Sequence, residues 1–357
     1  MKQKISKMIA LMITVLYCIF FIYLLKSITD FVIPILLSML LAIPFMVITH
    51  EAGHLIFGLL TGYQFVSFRI FSVMILRENG KIKLKKHSVP GTAGQCLMAP
   101  PRKKDGNYPY ALYNLGGILV CGVLSLIPMT GALFILQYEW IAMPLFVFGF
   151  VSFFMNLMNA IPTNGKSMIN DATNLRMANQ SAAGREAFWN QLEYIQLHSR
   201  NIRTADMPET MFFHPHDDDL GNTLVQWQPI ANIERYEDMR DYEKAQAEAW
   251  YMLEKEPLLS PFYKNYLKLE AVYLGSLLGN DRERVEAYVK EWQKQNPMKN
   301  TVNFARAQYA YCKLIRKDPS AIQNARTFFE KKIRAEAYLA SADFERRQLA
   351  YIDDCGT

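Results

Sequence analysis

Residues 31–60 read FVIPILLSMLLAIPFMVITHEAGHLIFGLL. The stretch from Phe31 to Thr49 is uncharged and long enough for a bilayer crossing, which takes about 20 mostly apolar helical residues. It runs without a break into His50-Glu51-Ala52-Gly53-His54 and then returns to apolar Leu55-Ile56-Phe57. On a helix, residues four apart share a face, so both imidazoles can reach one ion. Glu51 is turned away by about 100° and can meet a metal-bound water instead of the metal. Three ionisable groups in five residues at membrane depth are costly to place, and such groups are functional by default. A catalytic zinc with a Glu general base is the chemistry this spacing serves.

Three further apolar runs are candidate spans: Met8–Leu25, Ala111–Gln137 and Trp140–Ile161. The sequence therefore predicts a mostly α chain with a polytopic membrane bundle of about four spans. The basic start Met1-Lys2-Gln3-Lys4 resembles a signal-peptide n-region. The apolar stretch after it is long for that role and no small-residue cleavage site follows, so an uncleaved anchor is expected.

Charge is distributed unevenly. Residues 1–171 hold 14 Lys/Arg against 6 Asp/Glu, and residues 172–357 hold the other 25 against 27, which recovers the overall +6. The basic excess of the first part lies between apolar spans, where membrane topology explains it better than a nucleic-acid partner. The positive-inside bias places the N-terminus, residues 62–108 and everything after Ile161 on the cytoplasmic side of a multi-pass cell-membrane protein. The cluster Lys85-Lys86-His87 belongs to that inside-positive loop. The five cysteines (Cys18, Cys96, Cys121, Cys312 and Cys355) show no CxxC and no regular spacing, so no disulfide framework is expected.

Within the basic segment, Gln64–Leu76 and Lys81–Lys85 flank Arg77-Glu78-Asn79-Gly80. Asn-Gly between alternating residues signals a β-hairpin. Its apolar content suits the membrane interface, and an exposed strand edge could pair with an extended substrate. Gly94-Gln95-Cys96-Leu97-Met98 reads as a loop near the site.

A hydrolytic zinc takes a third protein ligand and leaves one position open. Between His54 and Gln137 the acidic residues are Glu78, in the hairpin turn, and Asp105, beside Gly106. Both read as solvated. After the last apolar run comes Asn159-Ala160-Ile161-Pro162-Thr163-Asn164-Gly165, then Asn170-Asp171. That segment returns to the cytoplasmic membrane face, which makes Asp171 the best candidate; its alternative role is a helix-capping Asp at the start of the soluble region. The cluster His214-Pro215-His216-Asp217-Asp218-Asp219 cannot present ligands from a helix because of its Pro, and reads as a solvated turn.

An HExxH in an early span, two further spans, then Asn-x-x-Pro leading to an Asp resembles the site-2 protease family of intramembrane zinc metalloproteases. The resemblance covers about residues 31–175. It implies His50, His54 and Asp171 as ligands of Zn2+, Glu51 as catalytic base, and Asn159 and Pro162 as residues shaping the segment that presents the Asp. Tyr113-Asn114-Leu115-Gly116-Gly117 is similar to the family's third-span motif and implies a substrate-orienting role for Asn114; the alternative is a set of small residues at a helix crossing. Two features depart from the pattern. Nine positions separate Pro162 from Asp171, with Ala172 where the family has Gly, and no inserted peptide-binding domain lies between the spans.

After residue 175 the chain reads as soluble. A helix is expected over 182–200 and an irregular connector over 201–235. Helical pairs then begin near Asp241, Asp281 and Pro319, a spacing of about 38–40 residues that resembles tetratricopeptide-like hairpins. The expected divisions are an N-terminal membrane helix at 1–30, a catalytic core at 31–175, a connector at 176–240 and a helical hairpin array at 241–357. The array could bind a protein partner or serve only as a scaffold.

The expected function is zinc-dependent intramembrane endopeptidase activity on membrane-spanning proteins or hydrophobic peptides near the cytoplasmic face. The alternative is a non-catalytic membrane-embedded binding or adaptor protein that retains the protease fold. It predicts decay among the four catalytic positions, all of which are filled. Zinc proteases of the prenyl-protein or heat-shock membrane type use a downstream helical Glu, for which Glu78 and Asp105 are poor substitutes.

Overall fold

A computed structural model describes residues 2–89, 91–163, 169–294 and 297–355. The chain is mostly helical with one small antiparallel sheet. It divides into two compact units, Met1–Gly53 with Gly116–Ala160, and His54–Leu115 with Ile161–Thr357.

The first unit is built from apolar helices. Helix α1 (Lys2–Ser27) passes through a π-helical turn (Ile28–Val32) into α2 (Ile33–Leu60). The break expected around Lys26–Asp30 does not occur. No Gly or Pro interrupts that stretch, and Thr29 Oγ1 donates back to Leu25 O at 3.1 Å and Lys26 O at 2.9 Å, the local bonding that a Thr within a helical run makes. Helix α3 (Tyr110–Phe134) and helix α4 (Glu139–Leu157) complete the set. Among the described residues three helical runs are long and apolar enough to cross a membrane. The first, Thr14–Leu60, has 47 residues, about 70 Å at 1.5 Å per residue, or roughly twice the hydrocarbon thickness of a bilayer.

Small residues set how these helices pack. A Cβ on Gly53 would sit 2.2 Å from Gly116 O and 2.7 Å from Gly117 Cα. The glycine inside the HExxH is therefore the point where α2 and α3 touch backbone to backbone, and Gly116-Gly117 are its complement. A Cβ on Gly149 would likewise meet Ser125 O at 2.6 Å, fixing α3 against α4. Ser152 Oγ on α4 donates to Ala42 O of α2 at 3.4 Å, and the rings of Phe45 and Phe148 lie 4.8 Å apart.

The second unit contains the sheet and all the later helices. The expected hairpin is part of a four-stranded sheet: β1 (Gln64–Ile70), β2 (Val73–Glu78), β3 (Lys81–Lys86) and β4 (Gly94–Ala99), in the order β3-β2-β1-β4. The turn at Asn79-Gly80 is where the sequence places it, with both residues at positive φ (49° and 79°). The first arm is not one strand, because Phe71 at φ 51° turns the chain and lets β1 pair with β2. Residues 94–98, expected as a loop, form β4 and pair antiparallel with β1.

Alternation gives the sheet two unlike faces. Ser67, Met74, Leu76 and Glu78 are buried on one face, where Met74 and Leu76 pack on Ala337 and Tyr338. Lys85 Nζ donates to Ala337 O at 2.7 Å, and the hydroxyls of Ser67 and Tyr338 lie 3.1 Å apart. Glu78, expected in a solvated turn, is 1 % exposed and paired with Lys83 and Lys85. Burial raises its pKa, but the two ammonium groups outweigh burial and hold it below the usual carboxylate range. On the other face Val73, Ile75, Ile82 and Leu84 remain exposed.

Helices α5 (Asp171–Gln180) and α6 (Ala182–Ser199) follow. Then come α7 (Trp227–Asp238), α8 (Tyr242–Glu254), α9 (Pro261–Leu278), α10 (Arg282–Lys294), α11 (Val302–Ala310, continued by a π-helical turn to Arg316), α12 (Pro319–Arg334) and α13 (Leu339–Asp354). Helices begin close to the predicted starts, at Tyr242, Arg282 and Pro319. The connector 201–235 is irregular only up to α7, whose start has no capping side chain and carries Pro229 within its first turn. The array is built on one continuous apolar core running from Leu220 to Ile352.

Candidate metal centre

His50, Glu51 and His54 lie on α2, and all three are buried, at 6 %, 8 % and 6 % exposure. The helix holds the two imidazoles one turn apart on one face. Each ring is oriented through its Nδ1. His50 Nδ1 lies 2.9 Å from Asn156 Oδ1 on α4. Asn156 Nδ2 in turn donates to Ile118 O at 2.9 Å, which fixes the amide with its oxygen toward the histidine. His54 Nδ1 lies 2.7 Å from Tyr113 O. A carbonyl oxygen only accepts, so in both rings Nδ1 carries the proton and the lone pair of the neutral imidazole is on Nε2. This is the tautomer a metal-binding histidine needs, held by outer hydrogen bonds.

Asp171 Oδ2 lies 3.3 Å from His54 Nε2. The carboxylate is not the cap of its helix. Asn170 takes that role, its Oδ1 accepting from Thr173 N at 3.0 Å and from Thr173 Oγ1 at 2.7 Å. Asp171 is thereby left to turn its side chain to the histidine from the first turn of α5, where the helix dipole favours an anion.

The long gap between Pro162 and Asp171 is closed by polar contacts at its two ends. Asn170 Nδ2 donates to Ile161 O at 2.8 Å, Thr163 N to Thr173 Oγ1 at 2.8 Å, and an Arg176 guanidinium nitrogen to Thr163 O at 2.9 Å. Asn164-Gly165 and the residues up to 168 lie outside the described residues.

His54 also rests on a rigid base. Tyr113 stacks on Tyr63 with ring centroids 4.7 Å apart, and its hydroxyl donates to Cys96 O on β4 at 2.8 Å. Gly58, one turn past His54, lies against Met98, whose sulfur would be 2.2 Å from an added Cβ.

The ligand atoms of His50, His54 and Asp171 all lie within 4.8 Å of one another. Two donors on a tetrahedral zinc, each about 2.0–2.2 Å from the ion, are roughly 3.3–3.6 Å apart. The His54–Asp171 spacing already has this value. Two imidazole nitrogens, each on a ring with its outer partner, and one carboxylate oxygen are a donor set that fits zinc. The side chain of Asp171 is 20 % exposed against 7 % for His54, so the centre opens on the carboxylate side.

The remaining sequence candidates are placed as follows. Asn114 is 2 % exposed and donates through Nδ2 to Tyr110 O, one turn back on its own helix, at 2.8 Å. Asn159 is half-buried in a short 3-10 turn (Met158–Ala160), and Pro162 is exposed. Asn156, which the motif reading passes over, is the asparagine that bonds His50. Its signal was a polar residue at the end of an apolar helix. Among the described residues no other trio of His, Cys, Asp or Glu gathers in this way. His214 pairs with Glu248 at 3.1 Å, and Asp217 accepts from Tyr251 at 2.8 Å and pairs with Lys255. Comparison of the chain with protein-family models, curated proteins and solved structures returns no match to any of them.

Proposed function

We propose that this chain is a zinc-dependent intramembrane endopeptidase of the site-2 protease type. The observation that carries the proposal is the convergence of Asp171 with His50 and His54, which flank Glu51 on an apolar, membrane-length helix. The HExxH motif, the tautomers set by Asn156 and Tyr113, and the Asp171 contact with His54 all favour the same chemistry.

In this proposal His50, His54 and Asp171 hold the ion. Zinc bound there supplies Lewis acidity, which acidifies water toward neutrality and polarises a carbonyl. Glu51, one residue from His50 and buried, takes the proton of the attacking water and returns it to the leaving amine nitrogen. The apolar surroundings exclude bulk water and strengthen each of these interactions. Substrates are membrane-spanning proteins or hydrophobic peptides. An extended substrate segment adds to the edge strand β3, and the exposed apolar face of Val73, Ile75, Ile82 and Leu84 rests on the bilayer interface. The charge distribution supports a multi-pass protein with both termini on the cytoplasmic side, and the helical array offers a surface for a protein partner.

The test is Glu51→Gln in the full chain, reconstituted with a membrane-spanning reporter. Zinc content should be unchanged while cleavage falls by about 10²–10⁴-fold or more. Cleavage at the wild-type rate by this variant would remove Glu51 from the chemistry and the proposal with it.

A further inference from the structure

The core of the helical array contains a buried charge imbalance that the candidate metal centre does not use. Arg306 on α11 is 1 % exposed and faces three carboxyl groups, Glu237 on α7, Glu270 on α9 and Glu345 on α13, themselves 1 %, 1 % and 3 % exposed. Its guanidinium makes a two-pronged contact with Glu270, at 2.8 Å to each oxygen. Glu237 and Glu345 share the other nitrogen, each at 3.3 Å. The guanidinium lies over Tyr273 at 4.6 Å and Phe344 at 5.3 Å, so water does not screen it.

Three ionised carboxylates against one guanidinium would leave two uncompensated negative charges in the core, an arrangement whose desolvation cost the protein cannot recover. The surroundings add to the excess. Glu234 on α7 and Glu336 before α13 face Glu345, while Lys332 lies toward Glu336 and His198 toward Glu234 at 3.9 Å. Tyr242, Tyr266 and Tyr273 supply hydroxyls and no positive charge. Asn303 Nδ2 donates to Glu270 at 3.2 Å. Neither oxygen of Glu237 accepts a hydrogen bond from a described residue, yet its carboxyl faces that of Glu270 within bonding reach. Two carboxyl groups so placed form a hydrogen bond only if one carries a proton.

We propose that this cluster is a proton-binding site, with at least one proton held at neutral pH, on Glu237 and donated to Glu270. Glu270 is then the ion-pair partner of Arg306, and Glu237 is neutral. Burial, together with the other carboxylates, also raises Glu345 to about 8. A carboxyl whose folded pKa lies above its ordinary 4.5 stabilises the fold below that value, and the stability is lost as pH rises through about 8. The cluster adjoins the segment Ala335–Tyr338, which grips the sheet through Lys85, His87 and Ser67. In that segment burial, with Glu234 nearby, raises Glu336 to about 7. Proton loss thus loosens the array where it holds the sheet.

Two measurements on the full chain in detergent micelles test this. Infrared spectra should show the carbonyl stretch of a neutral carboxylic acid near pH 7, diminished in Glu237→Gln. The urea midpoint of wild type should fall between about pH 5 and pH 9, while Glu237→Gln should lose much of that slope and equal or exceed wild type at the alkaline end. If all three carboxylates are instead ionised and serve only as ion-pair partners, Glu237→Gln is less stable than wild type by the same margin at every pH. That result, or a wild-type spectrum without the neutral-acid band near pH 6, overturns the proposal. Should Glu237→Gln fail to fold, the infrared spectrum of a Glu336→Gln/Glu345→Gln protein near pH 7 decides: a neutral-acid band that remains supports the proposal, and its absence overturns it.

Discussion

Asn156 Oδ1 stands 2.9 Å from Nδ1 of His50, and its Nδ2 is tied to Ile118 O. One amide thereby joins α3 and α4 to the first histidine of the motif and sets the tautomer of that ring. Removing it leaves the imidazole free to turn or to shift its proton to the metal-facing nitrogen. Asn156→Ala should weaken zinc affinity by about 10–100-fold, the usual effect of losing an outer partner of a metal ligand. Competition with a chelator of known affinity measures it. Unchanged affinity would show that His50 is oriented by other contacts.

Gly53 should tolerate no side chain. Its added Cβ would lie 2.2 Å from the Gly116 carbonyl oxygen, a backbone atom that cannot swing aside. Gly53→Ala should cost about 1–3 kcal/mol through forced separation of α2 and α3. A lower thermal midpoint and reduced zinc retention are expected together, since both histidines lie on the displaced helix. A midpoint equal to wild type would mean that the crossing is looser than the structure has it.

The long apolar helices and the placing of His50 and His54 on one helix face were legible because hydropathy and a five-residue motif are local signals. The turn at Asn79-Gly80 was legible for the same reason. The third strand pairing was not. β4 is short, with Gly94, Cys96 and Met98 in place of β-branched residues, and only its non-local pairing with β1 makes it a strand. The burial of Glu78 was hidden likewise, because Lys83 and Lys85 reach it across the hairpin rather than along the chain. The continuity of α1 and α2 followed from the absence of any helix breaker between Lys26 and Asp30, a signal outweighed by the charges there. Asn156 was obscured by Asn159, which the family pattern favours. Which of two asparagines faces the histidine depends on the helical phase at the end of α4.

An acid limb of stability should come from Asp238. Burial raises its pKa, but the Ala205 amide and the guanidinium groups of Arg347 and Arg203 outweigh burial and hold it below its ordinary 3.8. A depressed folded pKa gives stability that is present above 3.8 and lost as pH falls through the lower folded value. Urea midpoints of the wild type should therefore drop in that acid range, and Asp238→Asn should lack the drop. A variant with the full wild-type acid limb would assign it to other carboxylates.

Zinc content tests the centre most directly. Metal analysis of the purified wild type should find about one zinc per chain, with the ion lost in His54→Ala and lost or severalfold depleted in Asp171→Ala, whose carboxylate stands 3.3 Å from His54. A wild type that binds no zinc after incubation with the ion, or an Asp171→Ala protein that holds it as tightly as wild type, would contradict a centre built from two imidazoles and this carboxylate.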